Sequence, residues 1–162
     1  MNKECITING WRVFINPCFQ DQMLSLIAEV KTAAIKFPDD WKKKKCARRL
    51  AATVKVIDTL ITVDPGDERF RQGHTLGKSY SHWRRAKFLQ QYRLFFRYSD
   101  QHKIIILAWM NDDKTLRARN SHADAYTVFN NMLNKKRPPD NWEQLLKEAL
   151  KSSSSISALH IL

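Results

Sequence analysis

The chain has 162 residues, 43 % hydrophobic and 27 % charged, enough for one globular core and too few for two. Four Gly and five Pro exclude collagen-like and low-complexity chains. No apolar run reaches the length of a membrane span, and the first residues carry no apolar segment of the secretory kind. The cysteines, Cys5, Cys18 and Cys46, are too few and odd in number for a disulfide framework. Free thiols in a reducing cytoplasm are expected.

Twenty-eight Lys and Arg against 16 Asp and Glu give a formal net charge of +12. A chain this basic is expected to meet a polyanion, most often nucleic acid. The excess sits in the middle: residues 41–137 hold 22 basic and 8 acidic side chains, while both flanks are net −1. It is densest from Arg69 to Ser99, with 8 basic residues, no acid and 8 of the 17 aromatics. Lys and Arg neutralise phosphates, and flat rings stack on single-stranded bases. Phe88, Phe95 and Phe96 are read as core.

Asn16-Pro17 reads as an N-cap followed by Pro at the first helical position. The helix is expected to run to about Ile35, with Met23, Leu24, Ile27 and Val30 on one stripe, and to stop at Phe37-Pro38. Asp39 is expected to cap a second helix, about 40–61, with Leu50, Val54, Ile57 and Ile61 at helical spacing. The Lys42–Lys45 run near its start opposes the helix dipole. It reads either as a patch for RNA or an acidic partner, or as a solvated face. Asp64-Pro65-Gly66-Asp67 is a turn cluster that opens a long loop to about His82. Gly73 and Gly77 in that loop do not form a phosphate-loop motif.

The period then changes to two. Trp83–Phe88 places Trp83, Arg85 and Lys87 on one face and Arg84, Ala86 and Phe88 on the other. Tyr92–Tyr98 opposes Tyr92, Leu94, Phe96 and Tyr98 to Arg93, Phe95 and Arg97. Lys103–Met110 reads as a central strand covered on both faces, and the three strands form an antiparallel meander. Asn111-Asp112-Asp113 ends the sheet and is expected to cap a short helix through Arg117. Ala123–Lys135 follows as a helix with Tyr126, Phe129, Met132 and Leu133 at core spacing. After Arg137-Pro138-Pro139, Asp140 or Asn141 caps a last helix carrying Trp142, Leu145, Leu146 and Leu150. Residues 1–150 are expected to form the single domain and 151–162 a flexible Ser-rich tail.

Several stretches carry a family likeness. They include Asn9-Gly10-Trp11, Asn16-Pro17-Cys18-Phe19, Phe70-Arg71-Gln72-Gly73, Tyr92-Arg93-Leu94-Phe95-Phe96-Arg97-Tyr98-Ser99, Trp109-Met110-Asn111-Asp112, Thr115-Leu116-Arg117 and Asp124-Ala125-Tyr126-Thr127-Val128-Phe129. Through them, roughly residues 9–145, the chain resembles the RelE/ParE toxin superfamily and, within it, the YhaV toxins of bacterial type II toxin–antitoxin pairs. The resemblance implies an α+β, RelE-like fold: N-terminal helices on a small antiparallel meander, with C-terminal helices. It implies an mRNA-cleaving endoribonuclease acting at the ribosome. It also implies a PrlF-like antitoxin with an AbrB-like swapped-hairpin DNA-binding fold, whose complex with the toxin binds operator DNA.

Metal-free RNA cleavage uses the substrate's own 2′-OH and leaves a 2′,3′-cyclic phosphate and a 5′-OH. It needs charge stabilisation at phosphorus and proton transfer at both oxygens. No cofactor or metal is called for, since the carboxylates near the basic meander are sparse and the histidines do not pair at ligand spacing. Arg85 and Lys87 project to one side about 7 Å apart, at ~3.4 Å per residue, and are the first catalytic candidates. Likeness to RelE-type sites adds Arg117 as a phosphate or leaving-group residue. Tyr126 is a candidate for stacking or for a phosphate hydrogen bond. Arg84, Arg93, Arg97, Lys78 and His82 are candidate RNA-binding residues, and His82 and His122 are acid/base candidates by their intrinsic pKa. The alternatives are a non-catalytic nucleic-acid-binding module and a ParE-like gyrase poison.

Overall fold

The computed structural model describes residues 6–112 and 124–152. Arg117, His122, the short helix expected to run through Arg117, and residues 153–162 of the expected 151–162 tail lie outside the described residues. Five strands form one mixed sheet: β1 (Ile6–Ile8), β2 (Trp11–Ile15), β3 (Arg84–Phe88), β4 (Tyr92–Ser99) and β5 (Ile104–Met110). Their order is β1-β2-β5-β4-β3. The expected meander is present as β3-β4-β5, antiparallel throughout. It is extended by an N-terminal hairpin whose second strand runs parallel to β5.

The hairpin turns on Asn9-Gly10, with φ of 51° and 85°. That positive-φ pair is what a two-residue turn of right-handed twist requires. Asn9 then donates to the Asp58 carbonyl and the Thr62 hydroxyl, tying the hairpin to the middle of the chain. β5 is the third of five strands, and all seven of its residues are buried, as its unbroken apolar run predicts.

Helix α1 (Pro17–Lys36) starts where expected: the Asn16 side chain accepts from the Cys18 amide at 2.9 Å, with Pro17 at the first position. Its buried stripe is Phe19, Met23, Leu26, Ile27 and Val30. Leu24, expected on that stripe, is 45 % exposed, and Leu26 takes its place. A helix stripe advances by three and four residues, and Met23–Leu26–Ile27–Val30 keeps that step.

The second expected helix is broken into three. Trp41–Lys43 is a 3-10 turn, α2 runs Lys45–Val56, and Ile57–Ile61 is a π-helical turn. Asp39 does not cap it; Lys44 occupies the N-cap position of α2 without a side-chain hydrogen bond. At the far end, Thr62 Oγ1 donates to the carbonyls of both Ile57 and Asp58. Such local hydroxyl bonding competes with the regular ladder.

Helices α3 (Ala125–Asn134) and α4 (Trp142–Ser152) complete the fold. Asp124 caps α3 through the Thr127 amide at 3.0 Å. Of the two residues offered as cap for α4, Asn141 does it, accepting from the Gln144 amide at 3.1 Å.

The sheet separates two cores. Val13, Ile15, Leu94, Phe96, Ile105, Leu107 and Met110 pack under α1 and α2. Phe14, Phe95, Ile104, Ile106 and Trp109 pack under α3 and α4. A bulge lies where Phe95 pairs with Trp109 but Phe96 pairs with Leu107. The extra residue, Ala108, lets two consecutive β5 side chains enter the second core. There Phe95, Trp109 and Phe129 stack, with ring centroids 4.3 to 6.0 Å apart. The outcome is α+β, as the resemblance implies.

Candidate active site

The β3–β4 register decides which basic residues meet. Arg85 lies opposite Phe95 and Lys87 opposite Arg93. Directly paired residues point to the same side of a sheet. Arg85, Lys87 and Arg93 therefore share the face of Phe95, the face that carries α3. The rim of α3 delivers Tyr126: its ring stands edge-on to Phe95 at 5.7 Å, and its phenol oxygen accepts from Arg85 Nε at 3.0 Å. Three of the four catalytic candidates thus stand on one face, and two are hydrogen-bonded to each other.

The long loop 64–83 holds Arg85 from the other side. Arg85 Nη1 donates to the Arg69 carbonyl at 2.8 Å. That carbonyl is fixed because the loop is built around two buried groups. Phe70 is edge-on to Phe96 at 5.4 Å. Gln72 donates to the Tyr80 carbonyl and accepts from Thr75 Oγ1 and the Leu76 amide. Arg71 pairs with Arg84 as an isolated antiparallel bridge. The loop is a brace for the start of β3.

Arg85 uses two of a guanidinium's five N–H groups in these contacts. Among the described residues the other three have no acceptor and are available to an anion. The Tyr126 phenol oxygen accepts from Arg85, and among the described residues no acceptor takes its own O–H. The Lys87–Arg93 pair places two like charges directly across the strands, an arrangement that costs stability unless an anion joins it. Arg93 Nη1 donates to the carbonyls of Gln90 and Tyr92, closing the turn between β3 and β4.

The other RNA-binding candidates fall elsewhere. Arg84 points to the opposite face, its guanidinium 5.9 Å from the Tyr98 ring centroid. Arg97 shares the face of Arg85, but its guanidinium lies between the rings of Trp83 and Trp142, at 5.7 and 5.4 Å. It donates to the Asp140 carbonyl. Burial there pushes its pKa below the usual guanidinium value, with Asp140 opposing the shift. His82 Nε2 lies 2.6 Å from Asp140 Oδ1, an oxygen that also accepts from Trp83 Nε1 at 2.7 Å. Lys78 is exposed in a 3-10 turn, Lys78–Tyr80. Arg117 lies outside the described residues.

The family model for YhaV, described as a toxin with endonuclease activity of a toxin–antitoxin system, matches residues 13–150. This chain belongs to the YhaV toxin family. It is 46 % identical over 143 residues to the ribonuclease toxin YhaV of Escherichia coli strain K12, covering 87 % of this chain and 93 % of that one. It is 45 % identical over 147 residues to the toxin YhaV of Escherichia coli O6:H1, covering 90 % and 96 %. No solved structure matches it. As a YhaV-type toxin the chain has an antitoxin as its partner, and no helix among its described residues is long and apolar enough to cross a membrane.

Sequence patterning does not single out two residues that support the site of this YhaV chain. Asn111, 2 % exposed, reads in the sequence as the end of the sheet, a helix-cap candidate and part of a stretch of family likeness, not as a support of the site. Its Oδ1 accepts from the Arg93 amide at 2.6 Å, and its Nδ2 donates to the Gln91 carbonyl at 3.0 Å. Arg49 of α2 donates to the Asn111 carbonyl at 2.9 Å and lies 4.7 Å from the Tyr92 ring centroid. Together they fix the turn that carries Arg93. A polar Asn after an apolar strand is the available signal for the first; nothing in the local sequence marks the second.

Proposed function

We propose that this chain is the toxin of a type II pair and acts as a cytoplasmic, metal-independent endoribonuclease on mRNA at the ribosome. The observation that carries the reading is the Arg85–Tyr126 hydrogen bond beside Lys87 and Arg93 on one sheet face. The relatives named ribonuclease and toxin support it.

In this reading Arg85, Lys87 and Arg93 grip the scissile phosphate and stabilise the charge that grows on its oxygens. The 2′-OH attacks phosphorus and the 5′-oxygen leaves. The Tyr126 phenol, oriented by Arg85 and with its proton unspent, donates to a phosphate or leaving oxygen. Lys87 stays a cation on the phosphate, and the 2′-OH gives its proton to water. Arg117 is the proposed second leaving-group or phosphate residue. Lys78 and His82 contact the flanking RNA, Arg84, on the opposite sheet face against Tyr98, does not reach it, and Arg97 braces Trp83 and Trp142 behind the site. The antitoxin is proposed to be PrlF-like, with an AbrB-like DNA-binding fold, and the complex to bind operator DNA.

The test is induction of the chain in bacteria beside Arg85→Ala, with mRNA 5′ ends and DNA breaks both scored. New 5′-OH ends on ribosome-bound messages, absent with Arg85→Ala, are expected. Arrest with intact mRNA contradicts the reading; broken DNA would point instead to a gyrase poison.

A further inference from the structure

Across the sheet from Arg85, the outer surface of α2 forms a groove of about 500 Å³ against the end of α1. Its floor is the α2 stripe Ala47, Leu50, Ala51 and Val54, and Trp41 forms a wall. The steps of three, one and three are those by which one helix presents an apolar seam to another. Ala47 and Ala51 are small and allow close approach. The charged lining residues are Lys42, Arg48 and Lys55, all basic. Among the described residues, none of the three has a carboxylate within ion-pair distance. Arg48 and Lys55 stand seven residues apart, about 10.5 Å along the helix at 1.5 Å per residue.

A second observation points to an anionic occupant. α2 begins with Lys44 at its N-cap and Lys45 in its first turn, with no side-chain cap and no acid there. Cations at that end oppose the helix dipole, which favours an anion nearby.

The charges alone would suit RNA as well as peptide. The floor decides between them. A continuous aliphatic seam of Ala47, Leu50, Ala51 and Val54 is matched by aliphatic side chains of a helix, which the polar bases and sugars of RNA do not supply.

We propose that this groove is the docking site for an acidic amphipathic helix of the chain's own antitoxin. Aliphatic side chains of that helix fill the α2 seam, and its carboxylates, spaced about two turns apart, meet Arg48 and Lys55. Docking there anchors the antitoxin without covering Arg85. The inference rests on the toxin–antitoxin pairing, and RNA cleavage serves it only as a control.

The test compares the full chain with Ala51→Glu and with Lys42→Glu/Lys55→Glu. All three positions are exposed, so folding is expected to be kept, and matching far-UV circular dichroism and urea midpoints check that. Affinity is measured against the purified full-length antitoxin, and cleavage against an RNA transcript. Both variants are expected to bind the antitoxin at least about 10-fold more weakly, the cost of about 1.4 kcal/mol, with RNA cleavage by the free toxin unchanged. Antitoxin affinity within twofold of the parent in both variants overturns the proposal. So does loss of RNA cleavage or RNA affinity with antitoxin binding intact, which would make the groove an RNA surface. If the parent cleaves no RNA, the ribonuclease reading fails while the antitoxin affinities still decide this one.

Discussion

At Arg85 the local chemistry is a division of donors: one N–H to Tyr126, one to the Arg69 carbonyl, three left over. Tyr126→Phe removes only the phenol oxygen and leaves the ring against Phe95. It should lower RNA cleavage about 100-fold, the usual worth of a positioned proton donor, and cost stability about 1 kcal/mol; cleavage rates and urea unfolding check both. Lys87→Gln separates function from folding. It relieves the like-charge pair with Arg93, so the urea midpoint should hold or rise, by up to about 0.5 kcal/mol, while cleavage falls. A loss of stability with full activity would show that Lys87 is a structural strand residue.

At the scale of elements, period two in Trp83–Phe88 and Tyr92–Tyr98 makes β3, β4 and their faces legible, because each side chain's face follows from strand parity. The same parity puts Arg85 and Lys87 on one side of β3 from the sequence alone. Two features that the patterning does not yield have different causes. The β1–β2 hairpin is readable in principle: Asn-Gly between alternating residues is a strong local turn signal, although in the reading above those residues carry only a family likeness. The parallel β2–β5 pairing is not readable, since it joins Val13 to Ile105 across the sequence. Tyr126 illustrates the same limit; helical spacing puts it near a core, but only packing on Phe95 turns its phenol to Arg85. Asn111 ties these elements at one point. Asn111→Ala would leave the Arg93 amide and Gln91 carbonyl unpaired, and should cost about 2 kcal/mol or more, measured by chemical denaturation. An unchanged midpoint would mean that water or a shifted turn replaces both bonds.

For the molecule as a whole, the sheet divides labour. The face under α3 carries the cations and phenol proposed for RNA, and the face under α1 and α2 carries the basic groove proposed for the antitoxin. Net charge alone predicts a polyanion partner but does not tell these surfaces apart, because strand parity and helix packing sort the cations. Binding of a single-stranded RNA should weaken with salt by a log–log slope of about −0.7 for each phosphate neutralised, so the scissile phosphate shared by Arg85, Lys87 and Arg93 accounts for about −0.7. Lys87→Gln should weaken RNA binding and make that slope shallower, by less than the about 0.7 of a whole phosphate contact because Arg85 and Arg93 remain on it, while Lys55→Glu should leave the slope alone.

The most direct measurement is on the purified full chain with a defined transcript in excess chelator, beside Arg85→Ala, with the product ends determined chemically. Cleavage that persists in chelator, leaves 2′,3′-cyclic phosphate and 5′-OH ends, and vanishes in Arg85→Ala is the expected result. Cleavage that requires added divalent metal and leaves 5′-phosphate ends, or that survives Arg85→Ala undiminished, would contradict it.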